Sequence, residues 1–147
     1  MLKKEHYDND KDVLAAIEAV CKKLVGSYAL TILVDGELYG VRDPMGIKPL
    51  AIAKRDDEFI LASETVAFDV INAEYIRDIV PGEVVHFKND EINSYMLESA
   101  GKCKLSHCMF EYVYFARPDS TIDGINVYET RMNIGRQLRE LYPIDAD

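Results

Sequence analysis

The chain has 147 residues, a net charge of −9, 48% hydrophobic and 29% charged content, an ordinary globular composition for one domain or one domain with a piece of a second. The acidic balance argues against a nucleic-acid footprint, no apolar run approaches a membrane span, and Met1 to Asp12 is too charged for a signal peptide. Three cysteines without a Cys-x-x-Cys pair point to reduced thiols in a cytoplasmic setting, and three histidines without ligand spacing argue against a self-contained zinc site.

Asp10 and Asp12 offer N-caps for a helix from about Lys11 to Leu24. Val13, Ile17, Val20 and Leu24 form its apolar stripe, with Leu14 and Cys21 beside it, and Gly26 is placed to end it in the left-handed conformation. Ser27 to Val34 reads as a buried strand, Asp35-Gly36 as a two-residue hairpin turn, and Glu37 to Arg42 as the partner strand. Asp43-Pro44-Met45-Gly46 suits a type I turn, with Arg42 and Asp43 able to pair across it. Paired charges at a proline turn are more often scaffold than chemistry.

Leu50 to Lys54 and Glu58 to Ala62 make a second hairpin across Arg55-Asp56-Asp57, and Ser63 is expected to cap a short helix reaching Ile71. Tyr75 to Ile79, Val84 to Phe87 and Glu91 to Leu97 follow as shorter strands, then a loop over Glu98 to Lys102. Phe110-Glu111-Tyr112-Val113-Tyr114-Phe115 carries four aromatics in six residues and reads as a strand buried on both faces. It breaks into Arg117-Pro118-Asp119-Ser120, then an Asp123-Gly124 turn, and a helix from Val127 to Leu141 that Pro143 stops. Consecutive hairpins with helices alongside predict an α+β fold of mostly antiparallel sheets.

The stretch from Tyr28 to Leu50, with Arg42-Asp43-Pro44-Met45-Gly46-Ile47-Lys48-Pro49-Leu50, resembles class II glutamine amidotransferases, the glutaminase half of asparagine synthetase among them. Ser63-Glu64-Thr65, Arg77-Asp78-Ile79-Val80-Pro81-Gly82-Glu83 and above all Cys108 to Ser120 with Ile122 to Arg131 narrow the resemblance to the amidophosphoribosyltransferase family. The resemblance covers residues 13 to 147 and leaves residues 1 to 12 unassigned. It implies an incomplete Ntn-hydrolase-like αββα glutaminase domain over residues 13–120, and a linker helix over residues 121–147 leading to an absent phosphoribosyltransferase domain. The closing Tyr142-Pro143-Ile144-Asp145-Ala146-Asp147 looks like the approach to that domain's first strand.

In that family a cysteine at the chain terminus cleaves glutamine, and the ammonia converts phosphoribosyl pyrophosphate to phosphoribosylamine, the first step of de novo purine synthesis. Neither that cysteine nor the family's oxyanion-hole Asn-Gly pair is found in this sequence. Asn9-Asp10-Lys11-Asp12 imitates the segment that binds the substrate amino group, but only one helix fits between Asp10 and Gly26-Ser27-Tyr28 where the family has two. The expectation is therefore a chain with no catalytic or substrate-binding residue of its own, inactive alone. Cys108 stands where some members place the first of four cysteines holding a four-iron cluster, although a plain buried thiol fits it equally. The resemblance also implies magnesium binding by the parent enzyme, outside this chain. Tyr112, Tyr114, Arg117 and Asp119 are candidates for coupling the two domains, set against a core and packing role. The expected partners are the remainder of the enzyme and a second copy, with exchange of the Val127–Leu141 helix as one route to a dimer. The alternatives are a short non-catalytic binding or regulatory module, and the glutaminase domain of another class II amidotransferase.

Overall fold

The computed structural model describes residues 10–144. In chain order the elements are α1 (Asp10–Cys21), β1 (Ala29–Val34), β2 (Glu37–Arg42), β3 (Ala51–Arg55), β4 (Glu58–Ala62), α2 (Val66–Val70), β5 (Glu74–Asp78), β6 (Glu83–Lys88) and β7 (Glu91–Met96). A π-helix (Glu111–Phe115), β8 (Thr121–Ile122), β9 (Ile125–Asn126) and α3 (Val127–Leu141) complete it. Contacts divide the chain into two units, residues 1–48 with 79–106 and residues 49–78 with 107–147.

The first unit is a four-stranded antiparallel sheet in the order β1-β2-β6-β7 with α1 packed on one face. The strand period of two sends Tyr39, Val41 and Val84 towards the helix, where they meet Val13, Ile17 and Cys21. Asp35 and Gly36, with φ +49° and +85°, form the primed turn that matches strand twist, and Asn89-Asp90 repeats it between β6 and β7.

The second unit holds the antiparallel sheet β4-β3-β5, whose Ala51 and Ala53 pack on Phe68 of α2. It also holds a small core of Tyr112, Ala116, Ile122 and Val127. Asn126 caps α3 by accepting the Glu129 N–H at 3.0 Å. The hairpins, the turns and the span of α3 follow the sequence expectation, and every strand pair is antiparallel.

Four expectations are corrected. Helix α1 ends at Cys21, because the core extends no further and Leu24 and Val25 are exposed. Strand β1 is half-buried rather than buried, since it lies at a sheet edge. Ser63 does not cap α2, whose N-cap is Thr65 with no side-chain cap bond. The aromatic run is not a strand but a π-helix, closed by the Ala116 N–H donating to the Glu111 carbonyl at 2.9 Å. Only Glu111, Tyr112 and Ala116 turn inward, while Phe110, Tyr114 and Phe115 are exposed. The start of the unassigned residues 1–12, up to Asn9, and the final Asp145-Ala146-Asp147 lie outside the described residues.

Candidate functional site

The Arg42–Asp43 step is a heavily bonded point of the first unit, with both side chains at most 1% exposed. Arg42 donates from Nε to the Lys48 carbonyl at 2.8 Å, from Nη1 to Ile79 at 2.7 Å and from Nη2 to Gly46 at 3.2 Å. Asp43 accepts the N–H groups of Met45 and Ile47 on Oδ1, at 3.0 and 3.2 Å, and that of Lys48 on Oδ2 at 3.1 Å. The two charges thus satisfy the backbone of one loop, cation to carbonyls and anion to amides. Gly46, at φ +65°, has no room for a side chain, because a Cβ there would lie 2.6 Å from Cγ of Pro81. The spacing Arg-Asp-x-x-Gly is therefore a folding requirement in this chain, as the scaffold reading held.

A second polar group, which the sequence did not reveal, sits where α1 meets the sheet. Asp10, Glu37 and His86 bring ligand atoms within 4.8 Å of one another from three different elements. Lys88 already supplies the positive charge, at 2.7 Å from Asp10 and 3.0 Å from Glu37. His86 is buried, stacks on Tyr39 at 4.1 Å and places Nε2 2.8 Å from Glu37. Bonding to Lys88 holds the Asp10 and Glu37 carboxyls below their usual range, while burial and then Glu37 push Tyr39 up to about 12. The cluster therefore reads as an ion-paired staple of α1 to the sheet.

This staple has a pH signature. Depressed carboxylates contribute stability that is complete above their ordinary values, 3.8 for Asp10 and 4.5 for Glu37, and is lost as pH falls through their folded values. Lys88→Met is expected to flatten the acid side of the stability curve, read by urea unfolding from neutral pH down to the onset of acid unfolding. An unchanged acid slope would show that Lys88 does not set these two carboxyls.

The second unit contains the residues singled out at the aromatic segment. Arg117 and Asp119 do meet, at 3.1 and 3.0 Å, on the exposed turn. Tyr112 is buried and donates its hydroxyl to the Ile122 carbonyl at 3.2 Å, a core position. Tyr114 is 76% exposed and contacts Phe115 edge-on. Cys108 is half-buried, one turn before the π-helix. An open cleft of about 340 Å³ beside the turn is lined by Pro118, Asp119, Asn126, Tyr128 and Glu129.

What organises this segment is a set of residues that the sequence marked as motif positions without showing what they hold. Glu64 accepts the Arg117 N–H at 2.8 Å and the Ser120 hydroxyl at 2.9 Å, and Thr65 accepts the Thr121 N–H at 2.8 Å. Arg131 donates to the carbonyls of Tyr112 and Ala116, both at 2.7 Å, fastening α3 to the π-helix. The Ser-Glu-Thr motif thus serves the Arg-Pro-Asp-Ser turn, and its proximity in space was the missing signal.

The cysteines do not converge on chemistry. Cys21 faces the core of the first unit, where burial pushes its thiol up, and Cys103 is exposed. A four-iron cluster needs four thiolates, and a chain with three cysteines, one of them sealed in a core, cannot hold one alone.

Residues 3–70 match the family model described as a glutamine amidotransferase domain, so the chain carries sequence of that class. Within the class it is similar to amidophosphoribosyltransferases. It is 52% identical over 141 residues to the enzyme of Methanothermobacter thermautotrophicus, covering 96% of this chain and 29% of that protein. For the Methanocaldococcus jannaschii enzyme the values are 44% identity, 92% of this chain and 32% of the relative. The solved structure of glutamine phosphoribosylpyrophosphate amidotransferase from B. subtilis, complexed with ADP and GMP, superposes with a TM-score of 0.86 at 37% identity, over 99% of this chain and 31% of its own. A structure described as the allosteric regulatory enzyme of purine biosynthesis gives 0.87, again at 37% identity, over 99% of this chain and 30% of that one. The chain thus spans about three-tenths of the length of these relatives. The α+β, Ntn-type reading agrees with these neighbours, and no helix among the described residues is long and apolar enough to cross a membrane.

Proposed function

We propose that the chain supplies part of the glutaminase half of a cytoplasmic amidophosphoribosyltransferase, which moves glutamine-derived ammonia to phosphoribosyl pyrophosphate and releases phosphoribosylamine. The observation that carries this reading is the 52% identity sustained over 96% of the chain. On this reading residues 13–120 belong to the amidotransferase domain and residues 121–147 lead to the phosphoribosyltransferase half, the partner being the remainder of the enzyme. Magnesium would belong to that other half, and Cys108 would join an iron–sulfur cluster only with three thiolates from it.

The chain itself does not hydrolyse glutamine. An attacking thiolate needs an adjacent base and a prepared oxyanion hole. The described residues bring none of the three cysteines to both, and the one histidine beside Cys108, His107, has Nδ1 3.5 Å from Asp123. Purified chain incubated with glutamine is therefore expected to release no ammonia, while remaining folded by circular dichroism. Ammonia release abolished by Cys108→Ser, or by substitution of either other cysteine, would overturn this reading.

A further inference from the structure

We propose that Glu64 and Thr65 are positioning residues for α3, a clasp that seats the helix on the three-stranded sheet by gripping the strap, residues 117–121, from which it starts. The second unit contains two apolar cores: Ala51, Ala53 and Phe68 on the sheet side, and Tyr112, Ala116, Ile122 and Val127 on the α3 side. Apolar contact is non-directional, so burial alone does not orient one core against the other. Hydrogen bonds are directional, and the residues that lead into α2 supply them between the two.

Glu64 is half-buried and accepts the Arg117 N–H and the Ser120 hydroxyl on one oxygen, Oε2. Thr65 stands at the N-cap of α2 yet makes no side-chain cap bond. A threonine there ordinarily serves its own helix. Here its Oγ1 accepts the Thr121 N–H instead, so the hydroxyl is diverted from α2 to the strap.

The strap is bonded in turn to α3. The Tyr128 N–H donates to the Pro118 carbonyl and the Val127 N–H to the Ser120 carbonyl, each at 3.0 Å. Amides at 117 and 121 therefore go to the α2 side, and carbonyls at 118 and 120 go to the first turn of α3. Ser120, fully buried, takes part on both sides, through its hydroxyl and its carbonyl. The linkage runs in series: the sheet holds Phe68 of α2, Glu64 and Thr65 hold the strap, and the strap holds the helix start. Arg131 acts elsewhere, fastening α3 to the π-helix within their own core. In the proposed function α3 leads to the phosphoribosyltransferase half, whose starting direction the clasp then sets. The clasp itself is independent of that assignment.

Residual dipolar couplings of the full chain, with amide hydrogen exchange alongside, test it. In the unmodified chain one alignment is expected to fit β3, β4 and α3 together. Glu64→Ala should leave β3 and β4 on that alignment and take α3 off it, with the Arg117 amide exchanging about tenfold faster or more. Glu64→Gln should restore the unmodified pattern, because its amide carbonyl can accept both bonds where Oε2 does. Thr65→Val keeps the shape but loses the acceptor, and should speed exchange at Thr121 severalfold. Each of five results would overturn the proposal: an unmodified chain in which α3 does not share the alignment, an α3 that keeps it in Glu64→Ala, a Glu64→Gln variant that behaves as alanine does, β3 and β4 disturbed as much as α3, or Thr121 exchange unchanged in Thr65→Val.

Discussion

Asp43→Ala is expected to destabilise the first unit by about 3–5 kcal/mol, the range for removing one partner from a buried charged network. The size follows from what the carboxylate does. Its two oxygens take the N–H groups of Met45, Ile47 and Lys48, and no other side chain on that loop offers an acceptor to replace them. Each amide left without an acceptor costs about 1–3 kcal/mol when shielded from water. Arg42→Ala should be comparable, since the carbonyls of Lys48, Gly46 and Ile79 lose a shared donor. Arg42→Lys should recover little, because an ammonium cannot present the planar fork that reaches three carbonyls. Asp43→Asn is a sharper test. It keeps the shape but aims an amide NH₂ at a backbone donor on one side, so its loss should fall between those of wild type and alanine. Total stabilities near 5–15 kcal/mol place the alanine variants close to unfolding. Urea denaturation gives the answer, and a loss below about 1 kcal/mol for Asp43→Ala would reduce the node to a surface ion pair. The Arg117–Asp119 pair supplies the contrast: its side chains are 66% and 49% exposed, and removing Asp119 should change stability by less than about 1 kcal/mol.

What the sequence disclosed and what it hid divide along the range of the interactions. Turns set by two adjacent residues were legible: Asp35-Gly36, Asp123-Gly124 and the Asp43 turn adopt the expected conformations because the local backbone preference decides them. The Val127–Leu141 helix was legible through its cap and its proline stop. The π-helix was not, because Phe110 to Phe115 is apolar enough for either state and the deciding feature is which side chains find a core. Tyr112 and Ala116, four apart, do so together with Ile122 and Val127, and that helical spacing was obscured by the aromatics around it. The polar groups were the least legible. His86, Glu37 and Asp10 are separated by tens of residues, as are Glu64 and Arg117, so nothing in the spacing of either set foretells their meeting. Family resemblance located the right segments without saying which side chains hold them.

Arg131→Ala is expected to release α3 from the π-helix, with a loss of about 2–4 kcal/mol for two charge-assisted bonds to backbone carbonyls. The start of the helix is also held by the Val127 and Tyr128 N–H groups, which donate to the Ser120 and Pro118 carbonyls at 3.0 Å each, but its later turns are not. Val127 is its one buried residue among those described, and Ile134, Leu138 and Leu141 are exposed. The Asn126 cap stabilises the helix itself but does not fix its direction. The Arg131 fork does, since Nε reaches Tyr112 and Nη2 reaches Ala116, the start and the exit of the same short turn. Arg131→Lys keeps the charge but reaches one carbonyl at a time, and should recover no more than about half of the loss. Hydrogen exchange is the suitable readout, because the change is local: the amides of Tyr112 to Ala116 and of the first turn of α3 should exchange faster in Arg131→Ala, while those of β2 and β6 in the first unit should not change. Equal acceleration in both units would mean that Arg131 supports the fold as a whole. No acceleration anywhere would mean that Val127, the cap and the backbone bonds to Ser120 and Pro118 suffice, and that the direction of α3 is set without the guanidinium.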